Sequence, residues 1–81
     1  SETKQILIKI MLPGMDENVI QNLEKIFSKY RGNSKVILEL LRPQDISARI
    51  TLNDFFRVNP NEKFIKEIEA VIGEDSIIFL Q

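Results

Sequence analysis

A helix and a strand meet in residues 30–38, which read Tyr-Arg-Gly-Asn-Ser-Lys-Val-Ile-Leu. Apolar residues before this segment recur at helical spacing, and Gly32 stands where a helix commonly ends on a residue with left-handed backbone angles. From Lys35 onward the chain is almost continuously apolar, a pattern typical of a strand that is covered on both faces. The segment therefore predicts a helix that leads directly into a central β-strand.

The other elements follow from periodicity and from the turn residues on either side of this junction. Apolar residues that alternate predict strands, and those with a helical period predict helices. The predicted elements are a strand over residues 6–12, a helix with Asp16 as its N-cap, strands over 35–41 and 46–52, a helix with Asn59 as its N-cap that ends at Gly73, and a strand over 76–80. Residues 55–58 are predicted to be extended, either as a further strand or as a continuation beyond a bulge.

The order of these elements, β-α-β-β-(β)-α-β, predicts an α+β fold. Strand–helix–strand crossovers are nearly always right-handed, so both helices should lie on one face of a mixed sheet. The expected architecture is a two-layer sandwich of the ferredoxin-like, split βαβ type. Because 81 residues leave room for one core only, we expect a single domain over residues 6–81. Residues 1–5 are polar and are expected to be a linker.

Composition excludes several classes of chemistry. The chain has no cysteine and no histidine, which removes disulfides, thiolate zinc sites, cysteine nucleophiles and the usual general base. The net charge of −1 gives no field that would attract nucleic acid or an anionic membrane. No apolar run approaches the roughly 20 residues that span a bilayer. We therefore expect no catalytic, metal or cofactor site, no membrane contact and a cytoplasmic location.

Charged residues near the predicted turns are weak candidates for a site. The acidic ones are interpreted as turn and capping residues, because they lack the paired arrangement that acid–base chemistry needs. They are Asp45, Asp54, Glu74 and Asp75. The basic residues Lys29, Arg31 and Lys35 are interpreted as solvated charges, with contact to a phosphate or an acidic partner as the alternative.

The RNA-recognition fold shares this order of elements and stacks bases on aromatic side chains of its middle strands. At the corresponding strands this chain carries aliphatic residues, namely Ile8, Ile10, Ile50 and Leu52. We therefore expect no direct binding of nucleic acid by that mode.

One face of the sheet in a two-layer sandwich has no helices over it. Side chains alternate between the two faces of a strand, so when Ile6, Ile8 and Ile10 face the helices, the residues between them face away. In the first, second and last strands the outward set is Leu7, Lys9, Met11, Ile37, Glu39, Leu41, Ile78 and Leu80. Six of these eight residues are apolar, whereas a solvated sheet face normally carries threonine, lysine and glutamate.

An apolar patch of this kind usually marks contact with another domain, a partner chain or a twin subunit. We expect the partner to bury the six apolar residues, while three charged residues at the rim, Lys9, Glu39 and Arg49, set its orientation. The apolar residues are Leu7, Met11, Ile37, Leu41, Ile78 and Leu80. The alternative is that a small sheet tolerates exposed aliphatic residues and that Phe55 and Phe56 cover the ends of the final strand.

The order and spacing of several short motifs resemble one known family. The motifs are Tyr30-Arg31-Gly32 before an apolar strand at 36–40, Arg57-Val58-Asn59-Pro60 before the second helix, Val71-Ile72-Gly73 at its end, and the closing Ile77-Ile78-Phe79. This arrangement, over residues 6–80, resembles the extreme C-terminal domain of the alpha subunit of bacterial DNA polymerase III.

The resemblance implies a domain without polymerase chemistry, at the end of a very long chain and behind an OB domain that binds single-stranded DNA. In some members of the family the C-terminal region docks the tau subunit of the clamp loader, which tethers polymerases within the replisome. We therefore expect the C-terminal piece of a DNA-directed DNA polymerase. Its function would be to dock the tau subunit or an adjacent polymerase domain through the apolar sheet face.

A regulatory ligand-binding domain of the ACT type is the alternative from another class. Such domains share the order of strands and helices, dimerise edge to edge and bind amino acids at the turn after strand one, where Pro13-Gly14-Met15-Asp16 lies here. Dimerisation together with a thermal shift from an amino acid would favour that alternative. An enzyme of acylphosphatase-like topology would need an arginine in the same turn, which the sequence does not supply.

Overall fold

The computed structural model describes residues 4–80, with the backbone alone at residues 46 and 47. Within that range the chain forms four strands and two α-helices, together with two short 3₁₀ turns. In chain order they are β1 (Gln5–Met11), the turn Leu12–Gly14, α1 (Glu17–Lys29), β2 (Arg31–Arg42), β3 (Asp45–Thr51), the turn Asp54–Phe56, α2 (Glu62–Ile72) and β4 (Ile77–Leu80). Residues 1–3 of the predicted linker lie outside the described residues, and β1 begins inside it, at Gln5.

The four strands form one mixed sheet in the order β3-β2-β1-β4. β1 and β2 are parallel neighbours, whereas β3 runs antiparallel to β2 and β4 runs antiparallel to β1. The unit β1-α1-β2 therefore joins adjacent strands, and the unit β3-α2-β4 joins the two edge strands, which are parallel to each other. The predicted α+β sandwich with a split βαβ arrangement is confirmed, and the second crossover is the split one.

Both helices contact each other on the same face of the sheet, and the core lies between the two layers. Ile6, Ile8 and Ile10 of β1 point toward the helices and are at most 2 % exposed. On the neighbouring strand, Val36 pairs with Ile6 on that same face and is 1 % exposed. The helices contribute Leu23, Ile26, Phe27, Phe64 and Ile68. β1 is the most completely buried strand because it lies inside the sheet and beneath the helices.

Local chemistry sets where α1 begins and which face it buries. The Asp16 side chain accepts a hydrogen bond from the backbone N–H of Val19 at 2.9 Å, which confirms the predicted N-cap. Leu23, Ile26 and Phe27 recur at helical spacing and are buried. Ile20 lies outside this stripe and is 43 % exposed.

Two predictions about the segment before α2 are wrong. The N-cap is Asn61, whose side chain accepts from the N–H of Phe64 at 2.9 Å, and not Asn59. Residues 55–58 do not form a strand, because the first two belong to a 3₁₀ turn capped by the side chain of Asn53. Only Val58 pairs with the sheet, through isolated bridges to the start of β2.

The role predicted for Gly32 is also wrong. α1 ends at Lys29, and Gly32 already belongs to β2 without a positive φ, which among the glycines only Gly73 has, at 116°. A β-carbon on Gly32 would lie 2.5 Å from the backbone nitrogen of Asn59 and 2.7 Å from the carbonyl of Val58. Glycine is therefore required because two backbones approach closely, and the helix end does not need it.

Two hydrogen bonds hold these backbones together at what we term the Gly32 junction, residues 30–32 against residues 57–59. The N–H of Asn59 donates to the Tyr30 carbonyl at 2.6 Å, and the N–H of Gly32 donates to the Arg57 carbonyl at 3.2 Å. Val58 lies between these bonds and is completely buried. The junction thus fixes the segment from which α2 starts against the first residues of β2.

A polar cluster joins the end of α1 to the middle of α2. The Lys29 ammonium lies 3.0 Å from Oε2 of Glu67, and the Tyr30 hydroxyl donates to the same oxygen. The hydrogen bond from Tyr30, followed by that from Lys29, holds the pKa of Glu67 below its usual value. The same contacts with Glu67 raise the pKa of Lys29 and the pKa of Tyr30.

We expect Gly32→Ala to lower the free energy of unfolding by about 1–3 kcal/mol, because the added methyl group meets backbone atoms that cannot move without opening the junction. Gly14→Ala is the matched control, since nothing lies within 4 Å of a β-carbon at that position. Equilibrium unfolding in urea measures both free energies. Equal losses in the two variants would contradict this account of Gly32.

The free energy of unfolding should depend on pH through Glu67. Its folded pKa is lowered, so the stabilisation is present above the unfolded pKa and is lost as the pH falls through the folded value. We therefore expect the free energy of unfolding of the wild-type chain to decrease as the pH is lowered from about 5. The decrease over the same range should be smaller for Glu67→Gln. Glu24→Gln, at an exposed glutamate of α1, is the control. Parallel pH curves for Glu67→Gln and wild type would refute the role of this cluster.

Candidate functional site

Register places the nine candidate residues on one face of the sheet, opposite the helices. Leu7 is the centre of the set, since it pairs with Ile37 on one side and with Ile78 on the other. The remaining pairs on this face are Met11 with Leu41, Lys9 with Glu39, Glu39 with Arg49, and Gln5 with Leu80. We call this surface the open face. Its residues come from all four strands and lie together because β1 and β2 are adjacent.

The apolar residues of the open face differ in how much surface they offer. Met11 is 49 % exposed and Ile78 is 40 % exposed, whereas Leu7 is only 4 % exposed. Leu7 lies between Ile37 and Ile78 of the two flanking strands, and with so little exposed surface it cannot contribute much area to a partner. Ile37, Leu41 and Leu80 are half-buried. The accessible apolar surface is therefore concentrated at Met11 and Ile78, with the half-buried residues completing it.

A row of charges crosses the middle of the open face. Lys9, Glu39 and Arg49 stand opposite one another on three adjacent strands. Nε of Arg49 donates to Oε2 of Glu39 at 2.6 Å, and the Glu39 side chain is 7 % exposed while that of Arg49 is 60 % exposed. The expectation that Glu39 lies at the rim is wrong, because β2 is an inner strand and Glu39 stands between Lys9 and Arg49 of the two flanking strands.

Phe55 and Phe56 do not cover the final strand. Their turn packs against β2, and Phe56 contacts the core residue Phe27 with ring centroids 6.4 Å apart. Phe55 is 61 % exposed and stacks beneath the guanidinium of Arg31 at 4.6 Å. On β4, Ile78 and Phe79 remain exposed, the latter by 57 %. The alternative explanation in which these aromatic rings cover the strand is therefore wrong.

The structure does not gather the basic residues of the Gly32 region into one site. Lys29 binds Glu67, Lys35 binds Asp54 at 3.2 Å, and Arg31 stacks on an aromatic ring. Asp54 is also bound by Arg57, and these contacts, that with Lys35 first, lower the pKa of Asp54. Among residues 4–80, no cluster of acidic side chains could hold a metal ion. Neither helix in that range has the length and apolar character that crossing a lipid bilayer requires.

One end of the sheet holds a concave feature that the sequence patterns did not predict. A cleft of about 680 Å³ lies between the starts of β1 and β2, the segment at residues 58–60 and the end of β4. Lys4, Arg31 and Phe79 line it, and no acidic residue does. Four separate parts of the chain form this cleft, so no local motif could have indicated it.

The turn that would hold an amino acid in the ACT alternative is a short 3₁₀ turn at Leu12–Gly14. The carboxylate of Asp16, which follows it, is already used to cap α1. The geometry at this turn thus favours a role in starting the helix.

No protein-family model, curated protein or solved structure matches this chain. The geometry of the open face is therefore the observation on which a function can be argued.

We expect Arg49→Met to lower the free energy of unfolding by about 1–2 kcal/mol, because it leaves the buried Glu39 carboxylate without its partner. The exposed Arg49 side chain itself contributes little to the free energy of unfolding. The double variant Glu39→Met, Arg49→Met should therefore recover most of the stability that Arg49→Met loses. Urea unfolding of both single variants and the double variant gives the coupling between the two residues. A double variant no more stable than Arg49→Met would refute this interpretation.

Proposed function

We propose that this domain is a non-catalytic protein-interaction module at the C-terminus of a bacterial replicative DNA polymerase alpha subunit. It docks the tau subunit of the clamp loader, or a neighbouring polymerase domain, through its open face. The observation that carries the proposal is the exposed apolar surface of Met11 and Ile78 beside the half-buried residues Ile37 and Leu41. The motifs that resemble the polymerase domain supply the identity of the partner.

The open face has the composition of an interaction surface. Apolar side chains lie on both sides of a charged row, and burying a half-exposed residue such as Met11 or Ile78 contributes about 1 kcal/mol. Contacts of this size provide affinity when they are packed together at the centre of an interface. The partner therefore presents an apolar ridge to β1 and β4.

The charged row defines the polar contacts of that partner. The Arg49 side chain is 60 % exposed while it binds Glu39, so its guanidinium can also donate to a carboxylate of the partner. Lys9 has no carboxylate within 4.0 Å among residues 4–80. A partner with acidic residues on either side of its apolar ridge would satisfy both cations and fix the orientation of docking.

Catalysis then belongs to the remainder of the polymerase, and the whole polymerase is cytoplasmic. Base stacking plays no part in the proposed docking, because the open face within residues 4–80 carries no aromatic ring on β1, β2 or β4. The chemistry of this face suits burial against protein.

We expect the double variant Met11→Glu, Ile78→Glu to weaken binding to the purified tau subunit by about 100-fold or more, because two carboxylates would be buried against an apolar ridge. Ile20→Glu is the matched control, since Ile20 has a similar exposure of 43 % but lies on α1. Isothermal titration gives each dissociation constant, first with tau and then with the upstream polymerase region.

Circular dichroism of all variants establishes that they are folded. Failure of the wild-type chain to bind either protein would overturn the proposed function. Equal losses of affinity in the α1 control and in the double variant would show that the open face is not the docking site.

A further inference from the structure

Within residues 4–80, β4 is an edge strand whose outer backbone groups have no partner in the sheet. The N–H of Lys9 donates to the carbonyl of Ser76 at 2.7 Å, so Ser76 faces β1. In an antiparallel pair the hydrogen-bonded positions alternate, and Ile78 and Leu80 therefore also face β1. The N–H and C=O groups of Ile77 and Phe79 consequently point outward, away from the sheet.

The two edges of the sheet differ in how they are protected against pairing with another strand. β3 carries Asp45 and Arg49 and has a register shift where it passes Leu40 and Leu41 of β2, both of which oppose the addition of a strand. β4 reads Ile-Ile-Phe-Leu, without a charge, a proline or a bulge. One edge of the described sheet is thus closed to pairing and the other is open.

The exposed side chains of β4 lie on both faces of that open edge. Ile78 is 40 % exposed on the open face, and Phe79 is 57 % exposed on the helix side. Leaving two large apolar side chains in water on a four-residue strand is unfavourable. A second strand beside β4 would cover both.

Charges at the two ends of β4 favour an antiparallel second copy as the occupant. Glu74 and Asp75 precede the strand, and Asp75 is exposed. At the other end, Lys4 precedes the β1 residue that pairs with Leu80, and Lys4 and Arg31 line the cleft there. Antiparallel pairing of two identical strands places the acidic end of each copy beside the basic end of the other, whereas parallel pairing would place like charges together.

We propose that two copies of this chain form a symmetric dimer by antiparallel pairing of their β4 strands, with Ile78 of one copy opposite Ile78 of the other. In this register Ile77 of each copy forms a hydrogen-bonded pair with Phe79 of its mate, so all the outward groups of both strands are satisfied. The result is a continuous eight-stranded sheet with one long open face. This inference does not depend on the proposed docking partner.

The dimer is closed and weak. Each copy has one unprotected edge in the described sheet, and pairing through β4 occupies that edge, so the assembly cannot extend into a filament. The contact is confined to four residues of each strand, which is well below the roughly 800 Å² per partner of a stable interface. Association should therefore appear only at high protein concentration.

Sedimentation velocity of the 81-residue chain, from micromolar to millimolar concentration, tests the proposal. We expect the mass to rise from 9.4 kDa toward twice that value and no further. Phe79→Pro should abolish the rise, because proline removes an outward N–H without breaking a bond to β1. Ile50→Lys, at a 44 % exposed residue of β3, is the control and should dimerise like wild type.

A second experiment tests the register, and it remains valid if circular dichroism shows that the proline variant is unfolded. Ile78→Lys and Ile78→Glu should each raise the dissociation constant of the dimer by about 100-fold or more, because like charges would oppose each other. An equimolar mixture of the two should dimerise again. A wild-type chain that stays monomeric, a mass above two copies, or a mixture that stays monomeric would each overturn the proposal.

Discussion

The close approach of two backbones at Gly32 is the constraint on which the rest of this structure depends. A side chain there would lie 2.5 Å from the nitrogen of Asn59, and the contact is closed by the hydrogen bond from Asn59 to the Tyr30 carbonyl. Together with the hydrogen bond from Gly32 to the Arg57 carbonyl, it ties the end of α1, the start of β2 and the segment before α2 to one point. Because that point is fixed, α2 begins over the core and can pack beside α1, where Glu67 meets Lys29 and Tyr30.

Because both helices lie on one side, no helix of the described residues covers the other side of the sheet. The same register that buries Ile8 beneath the helices places Leu7 and Lys9 on the open face. The open face then combines exposed apolar residues with a buried, partnered carboxylate at Glu39. A charge pair in such a position contributes little to stability and more to the orientation of whatever is docked against it. The helix-covered face thus holds the core, and the opposite face holds the residues for which docking is proposed.

Alternation along the strands was sufficient to predict the two faces, because a period of two is a property of each strand alone. The cap at Asp16 could likewise be read locally. Contacts between distant segments could not be predicted in this way. The need for glycine at position 32 arises from residues 58 and 59. The burial of Glu39 arises from the strands on either side of it. The cleft beside Phe79 was missed for the same reason, since four segments form it.

The central claim, that the open face binds a protein, is tested most directly by mapping amide chemical shifts of the labelled domain during titration with the tau subunit. The account predicts that the shifted resonances belong to β1, β2 and β4, with side-chain methyl shifts at Met11, Ile37 and Ile78, while the outer faces of α1 and α2 stay unchanged. Shifts confined to the helices, or no shifts at saturating concentrations of tau, would contradict it.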